Sequence, residues 1–171
     1  MQPVLIETTD DDFDWMLGGV GTSRRGLRLP PGGVDAKNVL GHVRAIAASL
    51  HELQGHTDNW MIVVDGEVVG LCGYKHTPSK DGEVDIGYSI APSRRRRGFA
   101  TAAVAAILQR SEADSRVRSI VAETAVDNHA SQSVLKKNGF DCIGSGVDPD
   151  DGEPILRWSV SVAGTSRGNL A

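Results

Sequence analysis

The chain is organised around the stretch Ile90-Ala91-Pro92-Ser93-Arg94-Arg95-Arg96-Arg97-Gly98-Phe99-Ala100-Thr101. This stretch follows a predicted strand and opens a predicted helix, and the small residues Gly98 and Ala100 let a ligand approach the backbone closely. N–H groups at the start of a helix lack intrahelical partners, and the helix dipole favours negative charge there. With four consecutive arginines before the helix, this turn is suited to hold a pyrophosphate. A solvated basic loop is the alternative that the arginines alone leave open.

The predicted strand that precedes the turn, residues 83–90, alternates polar and apolar side chains. The two-residue period of a strand places on one face the residues Val84, Ile86, Tyr88 and Ile90. The opposite face carries Glu83, Asp85, Gly87 and Ser89. Two carboxylates therefore share a face with a glycine that leaves room beside them. Each carboxylate is a candidate base for proton transfer, and the alternative is that both simply face solvent.

Further elements are predicted on both sides of this segment. Apolar runs and period-two patterns predict strands at 4–8, 60–64, 67–74, 119–126 and 155–162, and a further strand that begins at Cys142-Ile143. Helical spacing predicts helices at 13–17, 34–50 and 99–112, and a last one between the cap residues Asp127-Asn128 and the stop Asn138-Gly139-Phe140. Asp65-Gly66 predicts a tight hairpin turn, in which both residues need positive φ. The strand–helix–strand order from 83 to 126 predicts a parallel strand pair with a right-handed crossover.

The length of 171 residues predicts one domain, 1–171, without an internal repeat or a linker. Residues 18–33 are rich in Gly, Pro and Arg and predict a mobile loop. An exposed linker between two helices is favoured for this loop over a lid on a substrate site. The end of the chain, 162–171, is small and polar and is expected to be a frayed tail.

The composition, with 40% apolar and 23% charged residues, is typical of a soluble globular protein. The net charge of −4 argues against nucleic acid and against an anionic membrane as partners, so the arginine run is a local feature. Cys72 and Cys142 show no disulfide or metal-ligand spacing, which favours a reducing compartment and no metal site. Because no signal peptide and no bilayer-long apolar run is recognised, a cytoplasmic location is expected.

Three stretches together resemble a known family. Gly87-Tyr88-Ser89-Ile90, followed by Arg95-x-x-Gly98-x-Ala100, resembles the acetyl-CoA signature of the GNAT superfamily of N-acetyltransferases. Asn128-x-x-Ser131, followed by Val134-Leu135-Lys136-Lys137-Asn138-Gly139-Phe140, resembles the second motif of that family. The pair of motifs looks most like the branch that includes ribosomal-protein N-terminal acetyltransferases. The likeness is good over 60–162, whereas the N-terminal part matches only in the order of its elements.

The resemblance implies a fold and a set of cofactor contacts. The fold would be α/β (α+β mixed), with a central, mixed and mostly antiparallel sheet that is splayed in the middle and flanked by helices. The cosubstrate would be acetyl-CoA, with its pyrophosphate on the backbone N–H groups of 95–101 and its pantetheine arm paired along Ile90 like an added strand. The contact residues implied are Ser89, Ile90, Arg95, Arg96, Arg97, Gly98, Phe99, Ala100, Thr101, Asn128 and Ser131.

The reaction implied by the resemblance is direct transfer of an acetyl group to an amine. Asp85 matches the position of a glutamate often found in this branch and is the preferred base, through a water, with Glu83 and Glu123 as reserves. A backbone N–H near a strand bulge would polarise the thioester oxygen. Many relatives place an acidic tyrosine after the second motif, where this chain has Asn-Gly-Phe. Ser131 is therefore the candidate acid, with an unassisted thiolate or a serine that merely starts the helix as alternatives.

Two functions from different classes follow from the sequence. The first is an acetyl-CoA-dependent N-acetyltransferase acting on a primary amine, which is a protein N-terminus, a lysine or a small amine. The second is an acyl-CoA-binding sensor or interaction module with little turnover, favoured by the shorter base and the absent tyrosine. The acceptor is not determined by the sequence. The oligomeric state is also open, with a homodimer among the alternatives.

Overall fold

The computed structural model describes residues 2–18, 23 and 25–162. The strands are β1 (Val4–Glu7), β2 (Asn59–Val64), β3 (Glu67–Tyr74), β4 (Glu83–Ile90), β5 (Ser119–Ala125), β6 (Asp141–Val147) and β7 (Pro154–Ser161). The helices are α1 (Asp10–Gly18), α2 (Lys37–Gln54), α3 (Phe99–Glu112) and α4 (His129–Lys137), with a 3₁₀ turn at Pro92–Arg94. Every strand and helix predicted from the sequence is present, with ends that differ by a few residues. No helix in the described part of the chain has the length and apolar character needed to cross a membrane.

The strands form one seven-stranded sheet in the order β1-β2-β3-β4-β5-β7-β6. All neighbours are antiparallel except β4 and β5, which are parallel as the crossover through α3 requires. The parallel pair is short, since it joins only Glu83–Asp85 to Ser119–Val121. The predicted sheet, mixed and mostly antiparallel, is confirmed.

The two faces of the sheet carry two apolar cores, because neighbouring residues of a strand point to opposite faces. In β2, Ile62 joins a core that includes Val104 of α3 and Leu135 of α4. Met61, next to it, joins a second core that includes Phe13 of α1 and Leu40 of α2. Helices α3 and α4 therefore cover one face, and α1 and α2 cover the other.

The hairpin between β2 and β3 has the predicted two-residue turn. Asp65 and Gly66 have φ angles of 50° and 74°, and the flanking residues Val64 and Glu67 are paired. Both central residues thus occupy the left-handed region that this turn type requires. The prediction from the Asp-Gly dipeptide is confirmed.

The described part of the 18–33 loop is packed against the sheet, so an exposed linker is the wrong interpretation there. Leu27 is buried. Arg28 forms a bridge to Glu67, and its backbone N–H and C=O pair with Gly66 and Val68. Residues 19–22 and 24 lie outside the described part of the chain.

The frayed tail predicted for 162–171 is wrong at its first residue. Val162 is buried, and its N–H donates to the carbonyl of Arg118. It therefore continues the packing of β7. The rest of the predicted tail, 163–171, lies outside the described residues.

Candidate active site

The sheet opens between β4 and β5. Pairing ends at Asp85 and Val121, and the remaining residues of the two strands are not paired with each other. On its other edge, β4 stays paired with β3 as far as Ile90. Lys75 N–H donates to the carbonyl of Asp85, and Ala91 N–H donates to that of Val69. Because backbone groups alternate along a strand, the N–H and C=O groups of Ile86, Tyr88 and Ile90 face the gap.

The predicted pyrophosphate turn lies at the end of β4, where the chain enters α3. Arg96 and Gly98 have φ angles of 62° and 79°, and Gly98 is the N-cap residue of α3. These two left-handed residues curl the backbone so that α3 starts beside the gap. Among the described residues, none accepts a hydrogen bond from the backbone N–H groups of 96–101. Unpaired N–H groups at a helix N-terminus are the arrangement that binds phosphate groups.

The four arginines of the turn have different partners. Arg94 donates from Nε and Nη2 to the two carboxylate oxygens of Glu67, at 2.6 and 3.1 Å. The Nε of Arg95 donates to the carbonyl of Ile90 at 3.1 Å. Arg96 and Arg97 are exposed, and within the described residues neither side chain has an acceptor. Arg94 therefore anchors the turn, and the other three supply the positive charge around it.

One cavity of about 760 Å³ joins the turn to the gap. Its lining includes all of the residues predicted to contact the cofactor, namely Ser89, Ile90, Arg95, Arg96, Arg97, Gly98, Phe99, Ala100, Thr101, Asn128 and Ser131. Tyr88 lines it as well. The volume is within the range that small-molecule and cofactor sites occupy. The two sequence motifs, which lie on different elements, are thus brought together in one cavity.

Asn128 and Ser131 hold the start of α4 at the cavity. The side-chain oxygen of Asn128 accepts a hydrogen bond from the backbone N–H of Ser131 at 3.0 Å, so Asn128 is the N-cap. This contact fixes the orientation of the amide, because the oxygen must face the N–H. The Nδ2 group of Asn128 has no acceptor among the described residues and is available to donate to a carbonyl in the cavity.

Tyr88 is a residue of the cavity whose role the sequence did not indicate. Strand alternation assigns it to the apolar face, yet its ring is half-buried and its hydroxyl reaches α4. The Tyr88 Oη lies 2.7 Å from Ser131 Oγ and 3.3 Å from the Ser131 carbonyl oxygen. Burial raises the pKa of Tyr88, and the hydrogen bond with Ser131 opposes that shift. Tyr88 is therefore a neutral hydrogen-bonding group at neutral pH.

Asp85 lies at the mouth of the gap, on the face opposite Tyr88. Its side chain is 18% exposed, and Lys75 Nζ approaches its Oδ2 at 3.2 Å. Its Oδ1 is buried and has no hydrogen-bond partner among the described residues. Burial raises the pKa of Asp85, while the ammonium group of Lys75 opposes that shift. A carboxylate with a raised pKa and a free oxygen beside an opening is suited to accept a proton.

The two reserve carboxylates are placed differently from Asp85. Glu83 is exposed and pairs with Ser119, in the closed part of the sheet before the gap. Glu123 of β5 lies on the same face as Asp85 and raises the pKa of Asp85 by charge repulsion. Its carboxylate is 3.5 Å from Arg157. Of the three carboxylates, the structure brings Asp85 and Glu123 to the gap and leaves Glu83 outside it.

A family model described as the acetyltransferase (GNAT) domain matches residues 5–141. The chain belongs to the GNAT acetyltransferase family. The matched residues include the opened strands, the turn and α4. The predicted resemblance to this family is confirmed.

The curated relatives match about half of this chain at moderate identity. An uncharacterized N-acetyltransferase of Bacillus subtilis (strain 168), YjdG, is 33% identical over 85 residues, which are 48% of this chain and 51% of the relative. The ribosomal-protein-serine acetyltransferase of Escherichia coli (strain K12) is 27% identical over 91 residues, or 53% of this chain and 50% of that protein. The chain thus spans about half the length of the curated relatives it matches.

Solved GNAT structures share the fold over 76–95% of this chain. RimL, a ribosomal-protein alpha-N-acetyltransferase in complex with coenzyme A, has a TM-score of 0.68 at 15% identity and 95% coverage of both chains. RimJ of Mycobacterium smegmatis, in complex with a CoA-disulfide, has a TM-score of 0.62 at 25% identity, covering 76% of this chain and 66% of that one. These similarities confirm the predicted fold class and the likeness to the ribosomal-protein acetyltransferase branch.

Proposed function

We propose that this chain is an acetyl-CoA-dependent N-acetyltransferase that moves an acetyl group to a primary amine. The observation that carries the proposal is the single cavity that joins the unpaired N–H groups of 96–101 to the gap between β4 and β5. One end of this cavity is suited to a pyrophosphate. The other end lies along Tyr88, Ser89 and Ile90 of β4. The same strand carries Asp85, which has the burial and the raised pKa of a base.

The residues of the turn fit the cosubstrate in charge and in geometry. The N–H groups of 96–101 and the positive charge of Arg95, Arg96 and Arg97 would hold the pyrophosphate. The gap-facing backbone groups of Tyr88 and Ile90 would pair with the amides of the pantetheine arm, in the manner of an added strand. The Nδ2 group of Asn128 would donate to the arm from the opposite wall. When bound, acetyl-CoA supplies an acetyl group activated as a thioester.

Each of the groups at the gap would then have one role in the acetyl transfer. Asp85 accepts a proton from the incoming ammonium group through a water, so that a neutral amine attacks. A backbone N–H on the open edge of β4 donates to the thioester oxygen. The family resemblance implies that this N–H lies beside a strand bulge. The structure has a bulge in β3, where the register with β2 shifts between Ile62 and Val63. Strand β4 is paired with β3 without a shift. Ser131 faces the departing sulfur.

The acceptor would approach from the face of Asp85, since the cosubstrate occupies the face of Tyr88. Asp85 and Glu123 both lie on that face, which favours a cationic amine. The nearby cations Lys75 and Arg157 offset part of their charge. Asp10 and Asp14 of α1 do not add to this charge, because both are paired with Arg44 of α2. We therefore propose an amine that is protonated in solution and deprotonated at Asp85.

The proposal is tested by calorimetry with acetyl-CoA and by release of free thiol across a panel of peptides, lysines, polyamines and other small amines. Gly98→Glu is expected to weaken acetyl-CoA binding about tenfold or more, because it strains a left-handed position and places a carboxylate where phosphate belongs. Gly41→Glu is the matched control. It adds the same charge on the exposed side of α2, where a Cβ meets nothing within 4 Å.

Two outcomes would contradict the proposal. No measurable affinity for acetyl-CoA or CoA would remove its basis. Binding without thiol release from any amine would favour the alternative, an acyl-CoA-binding sensor or interaction module on the same fold.

A further inference from the structure

A hydroxyl pair links the two walls of the cavity. Tyr88 stands on the strand wall, and Ser131 stands in the first turn of α4 on the opposite wall. Their oxygens are 2.7 Å apart, which is the usual length of a strong O–H···O hydrogen bond. Either hydroxyl is able to donate. If Tyr88 donates to Ser131 Oγ, the Ser131 proton is left free for a third group in the cavity.

The pKa values of these groups decide whether the hydroxyl pair transfers a proton to the departing sulfur or only donates a hydrogen bond to it. An ordinary thiol has a pKa of about 8.5 and an ordinary phenol about 10. Burial raises the pKa of Tyr88 above its ordinary value, and an aliphatic hydroxyl such as Ser131 is a weaker acid still. Transfer of a proton from either hydroxyl to a thiolate is therefore uphill. Donation of a hydrogen bond to a thiolate requires no such transfer.

We propose that Tyr88 is a positioning residue, which donates to Ser131 Oγ and thereby directs the Ser131 hydroxyl at the sulfur so that CoA departs as a thiolate. This inference rests on the proposed function. In the transfer, the N–C bond forms, the C–S bond breaks, and its electron pair stays on sulfur. The nitrogen loses two protons: one goes from the ammonium group to Asp85 through water before the attack, and the other goes to solvent water when the tetrahedral intermediate collapses to the amide. The thiolate takes its proton from solvent after it leaves.

The proposal accounts for a departure from the family pattern. The chain contains only two tyrosines, Tyr74 and Tyr88, and neither follows the second motif. A neutral hydroxyl pair that stabilises negative charge on sulfur makes a separate acid unnecessary. A hydrogen bond to a charged group contributes about 1.5–3 kcal/mol, which is enough to lower the pKa of a bound thiol by about one unit or more.

The experiment measures the pKa of the thiol of bound CoA. The ultraviolet absorbance of the thiolate is followed as a function of pH, and the absorbance of the complex with desulfo-CoA, which has no thiol, is subtracted. In the wild type this pKa is expected to lie about one unit or more below that of free CoA. Tyr88→Phe and Ser131→Ala should each return it toward the free value. The double variant should shift it no further, because both act on one hydrogen bond. Tyr88→Phe should lower kcat about tenfold and leave KM for acetyl-CoA within about twofold.

Tyr74→Phe is the matched control. The Tyr74 hydroxyl lies 2.7 Å from Ser111 Oγ, so it forms the same kind of pair, but it is buried between β3 and α3. Its removal is expected to leave the bound thiol pKa unchanged. The Tyr74→Phe background also leaves Tyr88 as the only tyrosine. Fluorotyrosine incorporated there should show a ¹⁹F shift with CoA and not with desulfo-CoA, a result that needs no substitution at Tyr88.

The outcomes separate this inference from the proposed function. A bound thiol pKa in Tyr88→Phe equal to that of the wild type would overturn the positioning role, as would a ¹⁹F signal that does not distinguish CoA from desulfo-CoA. A wild-type thiol pKa raised above that of free CoA would overturn thiolate departure. Failure to bind CoA at all would instead contradict the proposed function.

Discussion

Three glycines on and around β4 occupy very different surroundings. Gly98 has a φ of +79°, a conformation that other residues rarely adopt. A Cβ at Gly70 would collide with the carbonyl oxygen of Ser89 in the neighbouring strand. A Cβ at Gly87 would meet only the Cε of Lys75, at an ordinary 3.7 Å, and no positive φ constrains it. The fold thus requires Gly98 and Gly70, whereas nothing inside the described chain requires Gly87.

This contrast predicts that Gly87 serves the acceptor. Gly87 lies on the same face as Asp85, and we expect Gly87→Ala to leave stability within about 0.5 kcal/mol while raising KM for the acceptor. Gly70→Ala, the comparison variant, should lower the free energy of unfolding by about 1–3 kcal/mol. Denaturant titration and initial rates measure both quantities. An acceptor KM unaffected by Gly87→Ala would show that this space is not used by the amine.

The sequence predicts which face of a strand a residue occupies, because this depends only on the two-residue repeat. It does not predict contacts between residues that are far apart in the sequence. Alternation along β4 correctly separates Asp85 from Tyr88. The contact of Tyr88 with Ser131 spans 43 positions in sequence, and it exists only because α4 packs beside the opened end of β4. No pattern within β4 indicates it. The same holds for the ion pair between Arg94 and Glu67.

At the scale of elements, the phosphate-binding turn is held by contacts with other segments. Arg94 is paired with Glu67 at the start of β3, and the Ser93 hydroxyl donates to the carbonyl of Pro31 at 2.9 Å. The turn is therefore tied to β3 and to the segment before α2. These contacts restrict the turn to the conformation in which its N–H groups face the cavity.

Loss of the anchor is expected to weaken cosubstrate binding without touching a cosubstrate contact. Glu67→Gln should raise the dissociation constant of acetyl-CoA about threefold to tenfold, because a freed Arg94 no longer holds the turn. Asp114→Asn is the control, since it removes the carboxylate partner of Arg116, 2.7 Å away, in a different part of the molecule. Calorimetry on both variants measures the effect. Equal affinity in Glu67→Gln and the wild type would show that the turn keeps its shape without this pair.

The observed ends of the helices show where helical spacing in the sequence did not determine the start of a helix. Helix α3 begins and ends where the apolar stripe predicts, at Phe99 and Glu112. Helix α2 begins at Lys37 and not at Val34, although Val34 is buried. Val34 fills the core from the preceding segment, and a buried residue at helical spacing cannot be distinguished from a helical one by periodicity. The separation of β4 from β5 was predicted only through the family resemblance, since neither strand encodes it alone.

At the scale of the whole molecule, the opening in the sheet has a cost in stability. It leaves strand edges unpaired in the middle of a sheet, and it places the half-buried carboxylate of Asp85 at the point where pairing ends. Burial raises the pKa of Asp85, so the folded state holds its proton more tightly than the unfolded state does. The free-energy cost of burying the charged Asp85 carboxylate is therefore absent at pH values below the pKa that Asp85 has in the unfolded state. It grows as pH rises from that value through the raised folded pKa, and it persists above it.

This linkage predicts opposite effects of Asp85→Asn on stability and on activity. At neutral pH the variant should have a higher free energy of unfolding than the wild type, because it removes a poorly solvated charge. The difference should vanish as the pH falls below the ordinary range of an aspartate, where both side chains are neutral. The variant should lose about 100-fold or more in kcat, since general-base catalysis contributes that much. In the wild type, kcat/KM should rise with pH through the raised pKa of Asp85.

Denaturant titrations at several pH values, together with pH–rate profiles, test both halves of this prediction. Glu83→Gln is the informative comparison, because Glu83 lies one strand repeat away in the closed part of the sheet. If Asp85 is the base, only Asp85→Asn abolishes the rise in kcat/KM with pH. A stable Asp85→Asn variant with wild-type kcat would exclude Asp85 as the base, and loss of the rise in Glu83→Gln would transfer that role to Glu83. Stabilisation of Asp85→Asn together with loss of turnover would show that the burial which lowers the stability of the fold is the same burial that raises the basicity of Asp85.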